Sequence, residues 1–560
     1  ITVRLNPNNP ADDAEKTWQL STDLSAKPSY QSDQPLVDAL FNLSLEEAIK
    51  NIEPDSTFRT GAKWAGVWTR DISYSIFLAF AFHEPEVAKI SLMKKVHRQR
   101  IVQDTGSGGA YPVSSDRMIW AIAAFEIFKT TGDTTWLKNA FEIIKNSAED
   151  DFQVLYDTTT GLFRGESSFL DWREQTYPKW MDNKDIYVSL NLGTNVIHYQ
   201  TYVVLAEMAR LLGEPYEHYQ TTAQKIKENI NRWLWQRDKG YYGQYLYGRA
   251  YLNLSPRFEA LGEALAILFD VADEEKANAI IAQSPITPFG VTCIYPQIPS
   301  IPSYHNNAIW PFVQSYWNLA AANVGNEKVL THGLAAMYRP AALFLSNYEN
   351  MVATNGDFRG TEINSERMLW SIAGNLAMVH RLFIGMNFEL DGIRFQPIVP
   401  KAYDGTRKLT NFKYRKATLD ITVKGFGNRI KTFEIDGENQ EKPFFPATLS
   451  GKHSIVIEMN NAPFEEKGMN LVENSFSLPY PLVELKGNYL KWREVKDAKK
   501  YLVYRNGQLL TTTRQHVFEA SPKETAEYKV FAVDERDIPS FSSEPIWVIP
   551  DGNTREIQLE

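Results

Sequence analysis

One cysteine, Cys293, stands in 560 residues. A disulfide framework is therefore excluded, and so is a zinc site built from several thiolates. None of the nine histidines falls in a His-x-x-x-His pair, so the spacing of helix-borne metal hydrolases is missing too. Neither a metal nor a cofactor is expected. No apolar run approaches the ~18 residues that span a bilayer. The net charge is −9, with no block of like charge long enough to form a tail. That balance argues against nucleic acid, whose phosphates call for clustered Lys and Arg. The chain opens on Ile1 rather than Met. A trimmed N-terminus is expected from this, and with it a periplasmic or secreted location.

Aromatic residues are plentiful: 14 Trp, 27 Tyr and 30 Phe. They serve large cores, and their faces also stack on the apolar faces of sugar rings. The length calls for two to four domains. Residues 1–34 show no period and read as an extended lead-in. From 35 to 385 the apolar spacing is helical. Ile309, Phe312, Val313, Tyr316, Trp317 and Ala320 recur at i, i+3, i+4, i+7, i+8 and i+11. About twelve such segments follow one another: 35–52, 71–83, 85–97, 115–131, 135–151, 191–211, 214–236, 256–270, 273–282, 306–323, 326–343 and 364–383. Tight turns such as Thr131-Gly132-Asp133, Leu212-Gly213-Glu214 and Val324-Gly325-Asn326 alternate with long connections. Six helical hairpins closing into a double ring, an all-α (α/α)6 toroid, meet this pattern. The long connections then share one end, where sites form on a rigid scaffold.

After about residue 386 the period becomes two. Leu419, Ile421 and Val423 alternate with polar residues, as do Ile455, Ile457 and Met459. A small β domain over 386–460 is expected, then a linker over 460–477. A second β unit over 478–550 has a tight turn at Asn506-Gly507 and the length of a fibronectin type III-like sandwich. The fold class is thus multidomain, an α toroid followed by small all-β domains.

The long connections carry the chemistry. The first holds Trp64, Trp68, Arg70 and Asp71. Asp71 suits a helix start, and an Arg-Asp pair close behind two Trp also suits sugar hydroxyls, one donating and one accepting. The second holds the glycines 106, 108 and 109, then Ser114-Ser115-Asp116-Arg117 and Trp120. No Gly-Lys-Ser/Thr follows, so it is no phosphate loop. The third holds Glu166, Phe169-Leu170, Asp171-Trp172-Arg173-Glu174, Trp180, Asp182 and Asp185. A carboxyl against aromatic rings keeps its proton to higher pH, as a glycosidase acid must. The fifth leads into Tyr304-His305-Asn306-Asn307 and Trp310-Pro311, with Pro311 favoured in a first turn. The sixth holds Tyr348-Glu349-Asn350, then Glu362 and Glu366 ahead of Trp370-Ser371. Thr361 or Ser365 there could begin a capping motif. Glu349 follows a helix end, where an acid does nothing for the helix, so it is a candidate for function.

In this order, these short stretches resemble the six-hairpin glycosidases. These include glucoamylases, trehalases, processing α-glucosidases and the glucosidase domain of glycogen-debranching enzymes. The resemblance covers about 35–385. It implies a glycoside hydrolase acting on an oligosaccharide or glycan, with an α-glucoside as substrate and inversion at the anomeric carbon. It places sugar binding on Arg70 and Asp71, the acid on Asp171 and the base on Glu349. Glu174 stays open as a rival acid, and Glu362 and Glu366 as rival bases. Trp68, Asp116, Trp172, Arg173, His305, Asn306 and Trp310 complete the expected sugar site. Inversion would set the two carboxyls ~6.5–9.5 Å apart, with water between. A phosphorylase, an epimerase or lyase, and an inactive glycan-binding protein remain as other uses of such a barrel.

Overall fold

The computed structural model describes residues 1–4, 15–104, 110–166 and 169–550. The glycine run 106–109 lies outside them.

Twelve main helices make up the first part. They are α1 Pro35–Lys50, α2 Thr69–Ser75, α3 Pro85–Lys94, α4 Ile119–Thr131, α5 Thr134–Val154 and α6 Leu192–Leu212. They continue with α7 Glu217–Trp233, α8 Ala260–Leu268, α9 Glu274–Gln283, α10 Pro311–Asn323, α11 Glu327–Phe344 and α12 Leu369–Ala377. Turns of π-helix extend α2 over Ile76–Phe80 and α12 over Met378–Phe383. Local chemistry explains the boundaries. Gly132 and Gly213 adopt left-handed φ of 70° and 75° and stop α4 and α6. The Asp133 carboxylate accepts from the Thr135 and Trp136 amides and starts α5, and Asn326 does the same for α11.

The helices sort by burial. In α7 the buried residues are Tyr219, Ala223, Ile226 and Ile230, a single stripe. Ile226 and Ile230 have no exposed surface, and each contributes about 1.5–3 kcal/mol by that burial. In α8 every residue from Ala260 to Ile267 is buried. The even-numbered helices form the inner set: α2 packs on α4, α4 on α6, α6 on α8, α8 on α10, α10 on α12, and α12 back on α2. Among the outer helices α1 covers α12, α3 and α5 flank α4, α7 covers α6 and α11 covers α10. Each inner helix begins just after a long connection. The starts of α2, α10 and α12 meet around one cavity.

The following sheet has six strands: β1 Ser29–Ser32, β2 Thr406–Tyr414, β3 Ala417–Lys424, β4 Ile430–Ile435, β5 Glu438–Asn439 and β6 Gly451–Met459. Their spatial order is β5-β4-β6-β3-β2-β1. Leu419, Ile421 and Val423 all point inward, as the alternation predicts. β1 corrects the reading of 1–34 as a mere lead-in. It is the sheet's edge strand, pairing Tyr30 with Leu409 in antiparallel register. The expected linker is also structured. Asn470–Leu471 runs parallel to Pro285–Ile286, and Ser475 and Ser477 bond through their backbones to Gln297. Such pairing with a distant segment leaves no local period.

The last unit holds β7 Val483–Lys486, β8 Tyr489–Trp492, β9 Lys500–Arg505, β10 Gln508–Thr513, β11 Val517–Glu519, β12 Ala526–Val533, β13 Pro539–Ser542 and β14 Ile546–Val548. They form two sheets, β7-β8-β11 and β10-β9-β12-β13, over a separate core that includes Trp492, Tyr501, Val503 and Val530. Asn506 and Gly507 both take positive φ, 48° and 77°, as the hairpin turn requires. β12 is buried along its whole length. Its Glu527 accepts from the Ala250 amide at 3.2 Å, so one face docks on the helical part.

Candidate active site

The cavity at the inner-helix starts has a volume of about 150 Å³. Trp64, Trp68, Phe169, Tyr304, Trp310, Met368 and Trp370 wall it, and Arg70, Asp71, Asp171, His305 and Glu349 bring charge or hydrogen bonds to it. Aromatic packing fixes the wall: Trp370 stacks on Phe312 with centroids 4.0 Å apart, and Phe169 meets Trp310 edge-on at 5.6 Å.

Arg70 is the hub. Its Nη2 donates to Asp171 Oδ2 at 2.9 Å and its Nη1 to Asp116 Oδ2 at 3.1 Å. The second Asp116 oxygen accepts from Gln103 Nε2 at 2.6 Å. Asp116 thus stands behind Arg70 and does not line the cavity. Asp71, in the first turn of α2, does line it. Burial pushes its carboxyl up to about 7, against the pull of Arg70. Asp104, which the sequence reading passed over, accepts from the Thr69 amide and pairs with Lys95 at 2.6 Å. It anchors the start of α2.

Glu349 is 2% exposed. Trp64 Nε1 donates to its Oε2 at 3.2 Å, and the Tyr304 hydroxyl to its Oε1 at 3.1 Å. Burial outweighs these bonds and pushes the carboxyl up to about 8. His305 Nε2 lies 3.8 Å from Asp171 Oδ1. Burial lowers this imidazole to about 4, so it is neutral at pH 7.

The other expected site residues are placed differently. Glu174 lies in a short turn, with 54% of its side chain exposed and its carboxylate 4.0 Å from Arg173. Glu362 and Glu366 are exposed. None of these three lines the cavity, because the connections turn them outward. Arg173 also stays off the wall. Trp172 supports it indirectly, edge-on to Tyr304 at 5.3 Å. Asn306 is a clamp, its side chain bonded to the backbone of Ile298 and Ile301. Trp120 is core, donating to the Leu92 carbonyl. Asp182 and Asp185 form a capping box for the helix Asn183–Tyr187. No such box forms at Thr361 or Ser365, since α12 starts at Leu369 without a side-chain cap.

Tyr304 and Trp64 line the site although neither was expected to. Their signal was proximity in sequence to Trp68 and His305. Glu166 is fully buried beside Asp116 and Asp171, takes a hydrogen bond from Ser114 and is held well above the usual carboxylate range by burial. Among the described residues no group of three or more His, Cys, Asp or Glu is placed to hold a metal. None of the described helices is long and apolar enough to cross a membrane.

Fold and site together define a helical ring whose loop end holds buried carboxyls in an aromatic cavity. Residues 107–284 match the family described as bacterial alpha-L-rhamnosidase 6 hairpin glycosidase domain. That stretch is therefore similar to a six-hairpin glycosidase domain over less than half of the chain. Among solved structures the chain is similar to a protein titled sialidase (TM-score 0.57, 16% identity), over 74% of this chain and 40% of that one. It is also similar to a GH78 family rhamnosidase of Bacillus sp. GL1 (TM-score 0.50, 15% identity), over 80% of this chain and 44% of that one. The chain therefore spans less than half the length of either. No curated protein matches the chain.

Proposed function

We propose that this protein is an inverting glycoside hydrolase that removes a terminal sugar from a glycan. One observation carries the reading: Asp171 and Glu349, from connections 178 residues apart (349 − 171), face one aromatic cavity beside Arg70 and Asp71. Carboxyls in contrasting environments on an aromatic-walled cleft are what glycoside cleavage needs. The closed sequence of inner-helix contacts supports an (α/α)6 toroid over 35–385. The strand order of 478–550 supports a fibronectin type III-like sandwich.

For the substrate we put α-L-rhamnosides ahead of the α-glucosides that the sequence suggested. The family match is to a rhamnosidase domain. A 6-deoxy sugar presents a methyl group where glucose presents a hydroxymethyl, and the apolar wall of Trp310, Met368 and Trp370 favours the methyl.

Asp171 donates the proton to the leaving oxygen, and Glu349 takes one from water. In this assignment the ionised fraction of Glu349 is the base, and a group that titrates near neutral pH binds a proton strongly. A second reading exchanges the roles. It is favoured by the Arg70–Asp171 ion pair, together with the proton that Glu349 holds at neutral pH.

The test is hydrolysis of nitrophenyl α-L-rhamnoside and α-D-glucoside, with the first-formed product anomer read by NMR. Cleavage of the rhamnoside with inverted product supports the proposal. Retention of configuration overturns the inverting mechanism. Cleavage only when phosphate is present, releasing a sugar phosphate, identifies a phosphorylase instead.

A further inference from the structure

Besides the Arg70 ion pair, two sets of contacts anchor the connection that carries Asp171. One is inside the ring, where Phe169 is wedged against Phe312, Trp310 and His305. The other belongs to the C-terminal sandwich. Trp180 Nε1 donates to the Ser542 carbonyl of β13 at 2.9 Å. The Ser542 amide donates back to the Tyr247 hydroxyl at 2.8 Å. The Tyr245 hydroxyl donates to the Thr176 carbonyl at 2.8 Å. The ring of Tyr245 stacks on Tyr177 at 5.1 Å and lies parallel to Phe541 of β13 at 6.5 Å. Arg257 covers Phe541 from 4.2 Å and donates to Ser477 Oγ at 2.7 Å.

Buried residues dominate this seam: Gln175, Thr176, Tyr177, Tyr245, Tyr247, Phe541 and Ser542 are all closed to solvent. A spacer module needs no such seam with an active-site loop. The seam also reaches the opposite wall of the cavity. Gln175 Oε1 accepts from the Asn306 amide at 3.0 Å, and the next residue back is His305, which faces Asp171.

We infer that β13 of the C-terminal sandwich is a positioning element for catalysis. Through Trp180, Tyr245 and Phe541 it holds the 170–177 turn, and thereby Asp171, at working distance from the sugar. The inference rests on the reading of Asp171 as a catalytic carboxyl. The physical basis is that a catalytic group displaced by about 1 Å loses on the order of a hundredfold in rate.

The full-length chain is used for the test, with Phe541→Ala as the main variant and Phe541→Leu as its conservative partner. Two readouts are taken: amide hydrogen exchange over 170–177, and kcat and KM separately. Phe541→Ala is expected to speed exchange in that turn and to lower kcat at least about tenfold with KM nearly unchanged, because the cavity wall itself is untouched. Phe541→Leu should restore most of both. Should Phe541→Ala fail to fold, the double variant Trp180→Phe, Tyr247→Phe keeps an aromatic ring at each position and removes both bonds to Ser542, and the same outcomes are expected of it. Unchanged exchange over 170–177 overturns the inference, as does a loosened turn with kcat within twofold of the parent. If the parent cleaves no glycoside, the proposed function falls, and the exchange result alone decides whether β13 holds the turn.

Discussion

Arg70 grips Asp171 at 2.9 Å across 101 residues of sequence. The same guanidinium holds Asp116 at 3.1 Å. One cation thus ties the start of α2 to two other connections.

Removing that cation should be costly for stability as well as for activity. Arg70→Met leaves Asp116 buried without its ionic partner, and uncompensated buried charge costs about 3–5 kcal/mol. Urea unfolding should record the loss. Arg70→Lys should recover part of the stability and little of the activity, because an ammonium cannot serve two carboxylates in the planar geometry of a guanidinium.

Glu349→Gln should lower kcat by about 10²–10⁴-fold, with the fold intact by circular dichroism. The amide retains an acceptor for the Trp64 donor and most of the packing. Activity close to the parent's would remove Glu349 from the mechanism.

The same variant should be more stable than the parent at alkaline pH. The carboxyl of Glu349 titrates near 4.5 when unfolded and near 8 in the fold. Between those values the folded chain holds a proton that the unfolded chain has released. Raising the pH through that window therefore takes stability from the parent and none from the amide variant. The gap in Tm should be widest near pH 8 and close toward pH 4.5.

Tyr304→Phe tests the assignment of roles. The Tyr304 hydroxyl favours the charged form of Glu349, so its loss raises that carboxyl further. If Glu349 is the base, the low-pH limb of kcat/KM should move to higher pH. Movement of the high-pH limb instead would make Glu349 the proton donor and Asp171 the base.

Glu174→Gln, Glu362→Gln and Glu366→Gln should each leave kcat within about twofold of the parent. Exposed side chains off the cavity have no desolvated charge to give up. A large loss in any one of them would move the catalytic pair.

Local pattern determined the helices. The stripe on α7, the caps at Asp133 and Asn326 and the glycines at 132 and 213 act within a few residues of chain, so the sequence displays them. It also showed that the long connections carry Trp, Arg and acids in quantity. Only the tertiary structure separated those acids by burial. Glu349 and Glu366 sit in one connection, yet one is sealed under Trp64 and Tyr304 and the other faces water. That difference arises from chain 285 residues away, because desolvation depends on everything that packs around a group. The pairing of β1 with β2, and the bond from Trp180 to the Ser542 carbonyl of β13, have the same origin. Both are contacts between distant segments, and periodicity records only the face a segment buries, never the partner it buries it against.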